Sequence, residues 1–586
     1  MNGVDFDAVV ANAVAEILSG AAPLAALFAV LIAVPVSLGV LAFFRYRVRR
    51  SLTPKSSSTP KGEPKPEAAP LASDRATRPP IEWHQLEQAA TDHRAGLARL
   101  YIWGGVGLAA ALAVVDAVLN TGEAPFSPLR FLYAAICFST PLALIIRLLY
   151  GRWKPTFVLV GCQLAAVLVL GAFGPGVSGP QDSYHAPAFA ILVSPMLALL
   201  LHPRIRAMGP LATGFFTVVL AGAFVSMAAS IFLLRDYVRT NILANPQTTR
   251  LLEAFDEVVS TKDERQAQLF NDAAFSYLRD NVFFIFQTFA IVILVGVLAS
   301  AAVGALLFFL VTRSYARKIV SEQWLVIASV WLYLAIAVAS VFTPVGLPAN
   351  LACLAVVGVG VAGGWRRLPR HQGPDVRLLL LRSFSLRERS NRLFQDLESL
   401  WRSIGSIQLV GAVDIALTTL EPHELLDFLR GRLGREFVHS PAEVDARLAL
   451  FDHERDPDGR FRVNVIFCGG DSTWQYAVDR MLRDSDCVLM DLRGFSRHRA
   501  GCVFEIRCLA GSDLSFRTVF LVDESTDRGF VGETWTAAAK VTSGSADGDA
   551  FTFVSEQPSK TIAERIIAAF GCADARHDSR AAPREG

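Results

Sequence analysis

Apolar and polar positions follow two regimes along the chain, and the change falls near Pro369. Upstream, apolar stretches recur at a length that suits a hydrocarbon core of about 30 Å, which needs roughly 20 residues in helical form. About nine segments meet that length: Pro23–Phe44, Tyr101–Leu119, Phe131–Tyr150, Thr156–Phe173, Pro187–Leu201, Leu211–Leu234, Val282–Val311, Leu325–Phe342 and Leu347–Gly363. Downstream, short apolar runs alternate with amphipathic stretches, the pattern of a parallel α/β sheet. The fold class expected is an α-helical polytopic membrane bundle of about nine spans followed by a C-terminal flavodoxin-like α/β domain.

Basic residues supply an independent test of that pattern, because short cytoplasmic loops collect Lys and Arg. Arg45, Arg47, Arg49 and Arg50, then Arg152 and Lys154, Arg204 and Arg206, Arg313, Arg317 and Lys318, and Arg366, Arg367 and Arg370 fall in alternate loops. The intervening loops Asn120–Pro128, Gly174–Ala186 and Thr343–Pro348 contain neither residue. The expected topology puts the N-terminus outside and the C-terminal domain in the cytosol of a bacterial plasma membrane. The expected organisation is an anchor helix over 1–50, a disordered linker over 51–80, a membrane domain over 81–370, an α/β domain over 371–575 and a disordered tail over 576–586. Residues 235–281 are expected to form an extracytoplasmic helical cap.

Composition agrees with a lipid-embedded protein, at 52% hydrophobic and 19% charged residues. Mid-membrane ionisable groups, which transporters need, are nearly absent. Asp116 and Arg147 lie near helix ends, and Gln163 and Gln287 are more simply interhelical hydrogen bonds than substrate ligands. A transporter with a regulatory cytosolic domain is therefore the third alternative. Small residues such as Gly104, Gly105, Gly107, Ala299, Ala301, Ala302 and Gly304 favour close helix packing and homo-oligomerisation. The eight cysteines match no zinc or disulfide spacing, so no metal is expected. Nucleic-acid binding is not expected either, because topology explains the basic residues.

Within the C-terminal region, strands are read at Val376–Leu381, Ile407–Val413, Arg462–Cys468, Cys487–Leu492 and Thr518–Val522. Helices are read at Arg389–Ile404, Ser472–Leu482, Cys502–Leu509 and Thr561–Phe570. Ligands of such sheets bind beyond the carboxyl ends of the strands. That rule selects Arg382, Ser383, Ser385, Asp471, Asp491 and Arg493 as candidate ligand contacts. Simpler roles stand beside these. Asp491 and Arg493 read equally as a buried ion pair, Asp471 as a helix N-cap, Cys502 as a small buried thiol, and Asp456–Gly459 as a turn.

The run Ser485-Asp-Cys-Val-Leu-Met-Asp-Leu-Arg-Gly-Phe-Ser, followed by Gly501-Cys-Val-Phe-Glu505, resembles the Toll/interleukin receptor (TIR) pattern of a buried strand, a loop and a helix opening Trp-Cys-x-x-Glu. Val376–Ser385 is similar to the first strand and loop of that family. The resemblance covers Asp375–Glu524, and two features depart from it: Gly501 stands where the family has Trp, and Leu417–Gly470 forms a long insertion. It implies a signalling or stress-defence role. In catalytic members the helix glutamate, here Glu505, is required to cleave NAD at the nicotinamide ribosyl bond, so NAD enters as a candidate substrate and no resident cofactor is implied. Read from the residues alone, Glu505 is equally a helix carboxylate paired with Arg493 or Arg507. A non-enzymatic interaction module or scaffold is the alternative function.

Overall fold

The computed structural model describes residues 81–119, 128–150, 153–173, 313–342, 347–369, 373–382, 437–468, 471–543, 551–555 and 562–581 with few gaps, and parts of 302–311 and 393–411. The first expected span, those at 187–201 and 211–234, most of 282–311, the linker and the 235–281 cap lie outside the described residues.

An N-terminal helical layer comprises α1 (Trp83–Leu119), α2 (Pro128–Phe138), α3 (Pro141–Tyr150), α4 (Trp153–Phe173), α5 (Glu322–Phe342) and α6 (Leu347–Arg366). The expected count of about nine spans is not sustained. Among the described residues one helix, Trp83–Val118, is long and apolar enough to cross a membrane, while Phe131–Ala143, Thr156–Val167 and Leu351–Arg366 are shorter apolar helices. The physical reason is visible at Phe131–Tyr150, where an unbroken apolar run does not make an unbroken helix. The chain turns at Ser139 and Thr140, whose hydroxyls donate to the Ile136 and Cys137 carbonyls at 2.7 and 2.6 Å, a local competition with the helical ladder.

Close approach in this layer depends on two glycines. A Cβ at Gly105 would stand 2.5 Å from Leu142 Cδ2 and 3.2 Å from the Trp331 ring, and one at Gly364 would stand 2.6 Å from the Trp324 ring. Gly104 and Gly107 face open space. Gly105→Val is therefore expected to destabilise the layer by about 1–3 kcal/mol, read as a lower thermal midpoint of the full chain, with Gly104→Val near neutral. Gln163 Nε2 donates to Ser139 Oγ at 2.8 Å, which joins α4 to the turn between α2 and α3.

The C-terminal part is an α/β domain built on a seven-stranded, wholly parallel sheet. Its strands are β1 (Leu378–Arg382), β2 (Ile407–Gly411), β3 (Phe437–Val438), β4 (Val463–Cys468), β5 (Cys487–Asp491), β6 (Thr518–Val522) and β7 (Phe551–Ser555). The spatial order is β3-β4-β2-β1-β5-β6-β7. Side-chain alternation divides the core in two, as the period of a strand requires. Leu378, Leu380, Cys487, Leu489, Val519 and Leu521 face one cluster, whereas Leu379, Leu381, Val488, Met490, Phe520 and Val522 face the other.

The first cluster is covered by helical residues around Leu393, Leu397, Leu400 and Trp401, by α11 (Ile562–Ala581), and by the start of α1. Trp83 stacks on Phe570 with ring centroids 5.1 Å apart, and its Nε1 donates to Asp574 Oδ2 at 2.7 Å. The polar first turns of α1 thus complete the α/β core, and its apolar turns belong to the helical layer. The second cluster is covered by α7 (Pro441–Leu448), α8 (Asp471–Asp484), α9 (Ala500–Ala510) and α10 (Arg528–Ser543). Ser440 caps α7 by accepting from Glu443 N, with Pro441 at the first helical position.

Candidate functional site

In the sheet order, β1 lies between β2 and β5, and the chain passes to β2 on one side and returns to β5 on the other. The crevice outside the carboxyl ends of β1 and β5 is therefore the topological switch point, where open α/β sheets bind ligands. Arg382 and Asp491 are register partners at these two strand ends. Of the other expected contacts, Ser383 and Ser385 lie outside the described residues. Asp471 is the first residue of α8.

Asp491 and Arg493 form an internal ion pair. The Arg493 guanidinium donates from Nε to Asp491 Oδ1 and from Nη2 to Oδ2, both at 2.8 Å, and both side chains are buried. This bidentate clamp shapes the loop after β5, in which Gly494 takes φ 69° and Leu492 N donates to Leu521 O. Arg493→Ala leaves a carboxylate buried without its guanidinium and is expected to cost about 3–5 kcal/mol, most of it recovered by Asp491→Leu/Arg493→Met. Urea unfolding of both variants checks this expectation.

The neighbouring loop carries an ionised carboxylate. Partial burial works against the Asp523 anion, but Ser525 Oγ at 2.6 Å, Gly494 N at 3.3 Å and Thr526 Oγ1 at 3.1 Å all donate to it. Together they hold its carboxyl below the usual range.

Glu505 is placed in the opposite environment. On α9 it shares the sheet-facing side with Cys502, Ile506 and Leu509, all buried, and it is itself only 5% exposed. It lies about 7.5 Å along the helix axis from Ala500 at 1.5 Å per residue. Arg493 is held by Asp491, and Arg507 points to solvent. No hydrogen bond or ion pair to Glu505 occurs among the described residues, so neither expected pairing forms. Burial without compensation pushes its carboxyl up from 4.5 to about 8, as desolvation of an acid must. Apolar side chains could fill this position at lower cost. A buried carboxyl with a raised pKa is a candidate functional group.

Two carboxyl groups of this domain are thus driven in opposite directions, Asp523 towards the anion and Glu505 towards the acid. Such divergence separates acid from base in catalytic sites. The thiols are not nucleophile candidates: burial pushes Cys508 to about 11 and Cys468 to about 12, and Cys502 is buried. Among the described residues no group of three or more His, Cys, Asp or Glu could hold a metal ion.

The space left by Gly501 is closed by a residue that sequence spacing did not bring to the site. A Cβ at Gly501 would lie 3.9 Å from the indole of Trp474 on α8. Trp474 also meets Phe504 edge-on, with centroids 5.3 Å apart. No family model, curated protein or solved structure matches the chain.

Proposed function

We propose that the protein is a membrane-bound signalling or defence enzyme whose α/β domain cleaves the nicotinamide ribosyl bond of NAD or a related nucleotide, with Glu505 as the central carboxyl group. The observation that carries this reading is the buried Glu505, which has no hydrogen bond or ion pair among the described residues and stands on the helix that follows β5, one of the two strands flanking the switch point of a parallel sheet. The TIR-like run from Ser485 to Glu505 supports it.

The chemistry suits the position. Water adds to the anomeric carbon of the ribose, the bond to the pyridinium nitrogen breaks, nicotinamide leaves neutral, and one proton is released. The ribose passes through an oxocarbenium-like state that an adjacent carboxylate stabilises. An uncharged Glu505 in the free protein is compatible with that role, because a cationic pyridinium ring nearby favours the ionised form. Substrate binding then ejects the Glu505 proton.

Lipid embedding of the helical layer is part of the proposal. Trp103, Val118, Val158, Leu306, Leu351 and Val359 are each more than half exposed on that layer. Large apolar side chains left this exposed suit a lipid surface where they form a continuous patch. The segment holding Arg317 and Lys318 lies against the α/β domain, as a cytosolic placement of both requires.

The test is to incubate the full detergent-solubilised chain with NAD and measure nicotinamide. The full chain is needed because Trp83 and Ala90 complete the α/β core. Glu505→Gln is expected to lower release by about 10²–10³-fold, the scale of a lost electrostatic stabiliser. Absence of product from the wild-type chain, or equal product from the variant, overturns the reading.

A further inference from the structure

The insertion that departs from the TIR pattern builds the contact between the helical layer and the sheet. Arg462, immediately before β4, donates from Nη2 to the Tyr315 carbonyl at 2.6 Å, and its guanidinium lies 3.9 Å over the Tyr315 ring. The same side chain donates from Nε to Asp456 Oδ1 at 2.8 Å. Tyr315, Arg462 and Asp456 are all buried, so a cation–π contact and a charge-assisted hydrogen bond are both desolvated here.

Further contacts converge on residues 452–462. Lys318, at φ 55°, donates from Nζ to Asp452 Oδ1 at 2.6 Å and to the Glu454 carbonyl at 2.7 Å. Arg402 donates to the Phe461 carbonyl at 2.6 Å and to Glu322 Oε2 at 2.9 Å. His93 on α1 is 2.7 Å from the Asp458 carbonyl. Asp452 is tied to β4 itself, because its N–H donates to Asn464 Oδ1 at 2.8 Å and its carbonyl accepts from Asn464 Nδ2 at 3.0 Å. One loop therefore holds α1, the segment leading into α5, and the second strand from the sheet's edge.

The continuation of this loop leads to Glu505. From Arg462 the chain runs through β4 into α8, whose Trp474 packs on Phe504 and over Gly501 in the first turn of α9. We infer that residues 452–462 form a coupling joint through which a displacement of the Tyr315–Glu322 segment against α1 repositions β4, α8 and the α9 helix carrying Glu505. The joint regulates the site assigned above and rests on that assignment for its biological meaning. Its mechanics do not. The unit has buried, directional contacts at the Arg462 end and a half-buried aromatic contact at the Trp474 end, a contiguous run of packed side chains of the kind through which coupling between separated sites travels.

Amide hydrogen exchange of the full detergent-solubilised chain tests the joint without reference to activity. Arg462→Ala is expected to speed exchange about tenfold in 463–468, 471–484 and 500–510, while 518–522 stays protected. Tyr315→Leu keeps the carbonyl and removes the ring, so it should give the same pattern more weakly. Arg517→Ala, which removes an ion pair to Asp574 on α11, should speed 562–581 and leave 500–510 unchanged. An increase confined to 313–322 and 452–462, or an equal increase across all strands in both Arg462→Ala and Tyr315→Leu, overturns the inference. The expected exchange pattern in a chain that releases no nicotinamide would keep the joint and remove the enzymatic reading.

Discussion

Gly405→Ala is expected to prevent the α/β domain from reaching its native packing. A Cβ at this position would stand 1.9 Å from the Val376 carbonyl oxygen and 2.5 Å from its carbonyl carbon, so the obstacle is backbone and not the end of a flexible side chain. That backbone cannot withdraw. Leu378 N donates to Ser406 O at 2.9 Å, and Asp375 accepts from Ser406 N at 2.6 Å and from Ser406 Oγ at 2.9 Å. Gly405 itself closes the preceding helical turn by donating to Trp401 O. The crossing sits where β1 and β2 begin, so relief requires the two central strands to separate. The expected cost exceeds about 4 kcal/mol, the range in which single substitutions unfold a domain. Limited proteolysis of the full chain should show rapid cleavage beyond residue 373, whereas Gly532→Ala, with open space around its Cβ, should remain resistant.

The second large effect is a pH dependence of stability centred on Glu505. In the unfolded chain this carboxyl ionises at its ordinary 4.5, and in the folded chain burial holds the proton until about 8. Between those values the native state binds a proton that the unfolded state has released, so stability falls as pH rises through the window and levels off above it. At about 1.4 kcal/mol per pKa unit the accumulated penalty is a few kcal/mol. Glu505→Gln removes it. The variant should therefore match the wild type at pH 4 and exceed it at pH 9, a crossover that chemical denaturation at the two pH values reads directly. Equal pH profiles for the two proteins would contradict the placement of Glu505 in an uncompensated apolar setting. The same substitution is expected to lower nicotinamide release about 10²–10³-fold, so a gain in alkaline stability accompanied by that loss of activity would separate a functional carboxyl from a structural one.

Much of the α/β architecture was legible because its central strands are buried on both faces. Leu378–Leu381, Cys487–Met490 and Thr518–Val522 are continuous apolar runs of strand length, and β6 has the bounds its pattern predicts. Elements with weaker patterns were not read: the two-residue β3, the short α7, the glycine-containing α10 and the edge strand β7. Their stability comes from tertiary neighbours, Trp535 and Phe551 for example packing edge-on with centroids 4.9 Å apart. Apolar length in the N-terminal region overstated regular structure, because hydropathy does not register a turn such as Ser139–Thr140.

The candidate site was half legible. Strand-end logic pointed to Asp491 and Arg493 and the TIR resemblance to Glu505, but spacing left open which of them pair. The fold decides it, because Arg493 reaches back two residues to Asp491, and among the described residues no guanidinium pairs with Glu505. Trp474 and the Arg462–Tyr315 contact were not legible, since each joins residues that only the folded chain brings together.

Infrared titration of the full chain, recorded as the difference between wild type and Glu505→Gln, tests the central claim most directly. The expected result is a protonated-carboxyl band at neutral pH that disappears with a midpoint near 8 and is missing from the variant. A wild-type spectrum lacking that band at pH 7, or a midpoint near the ordinary 4.5, would contradict it.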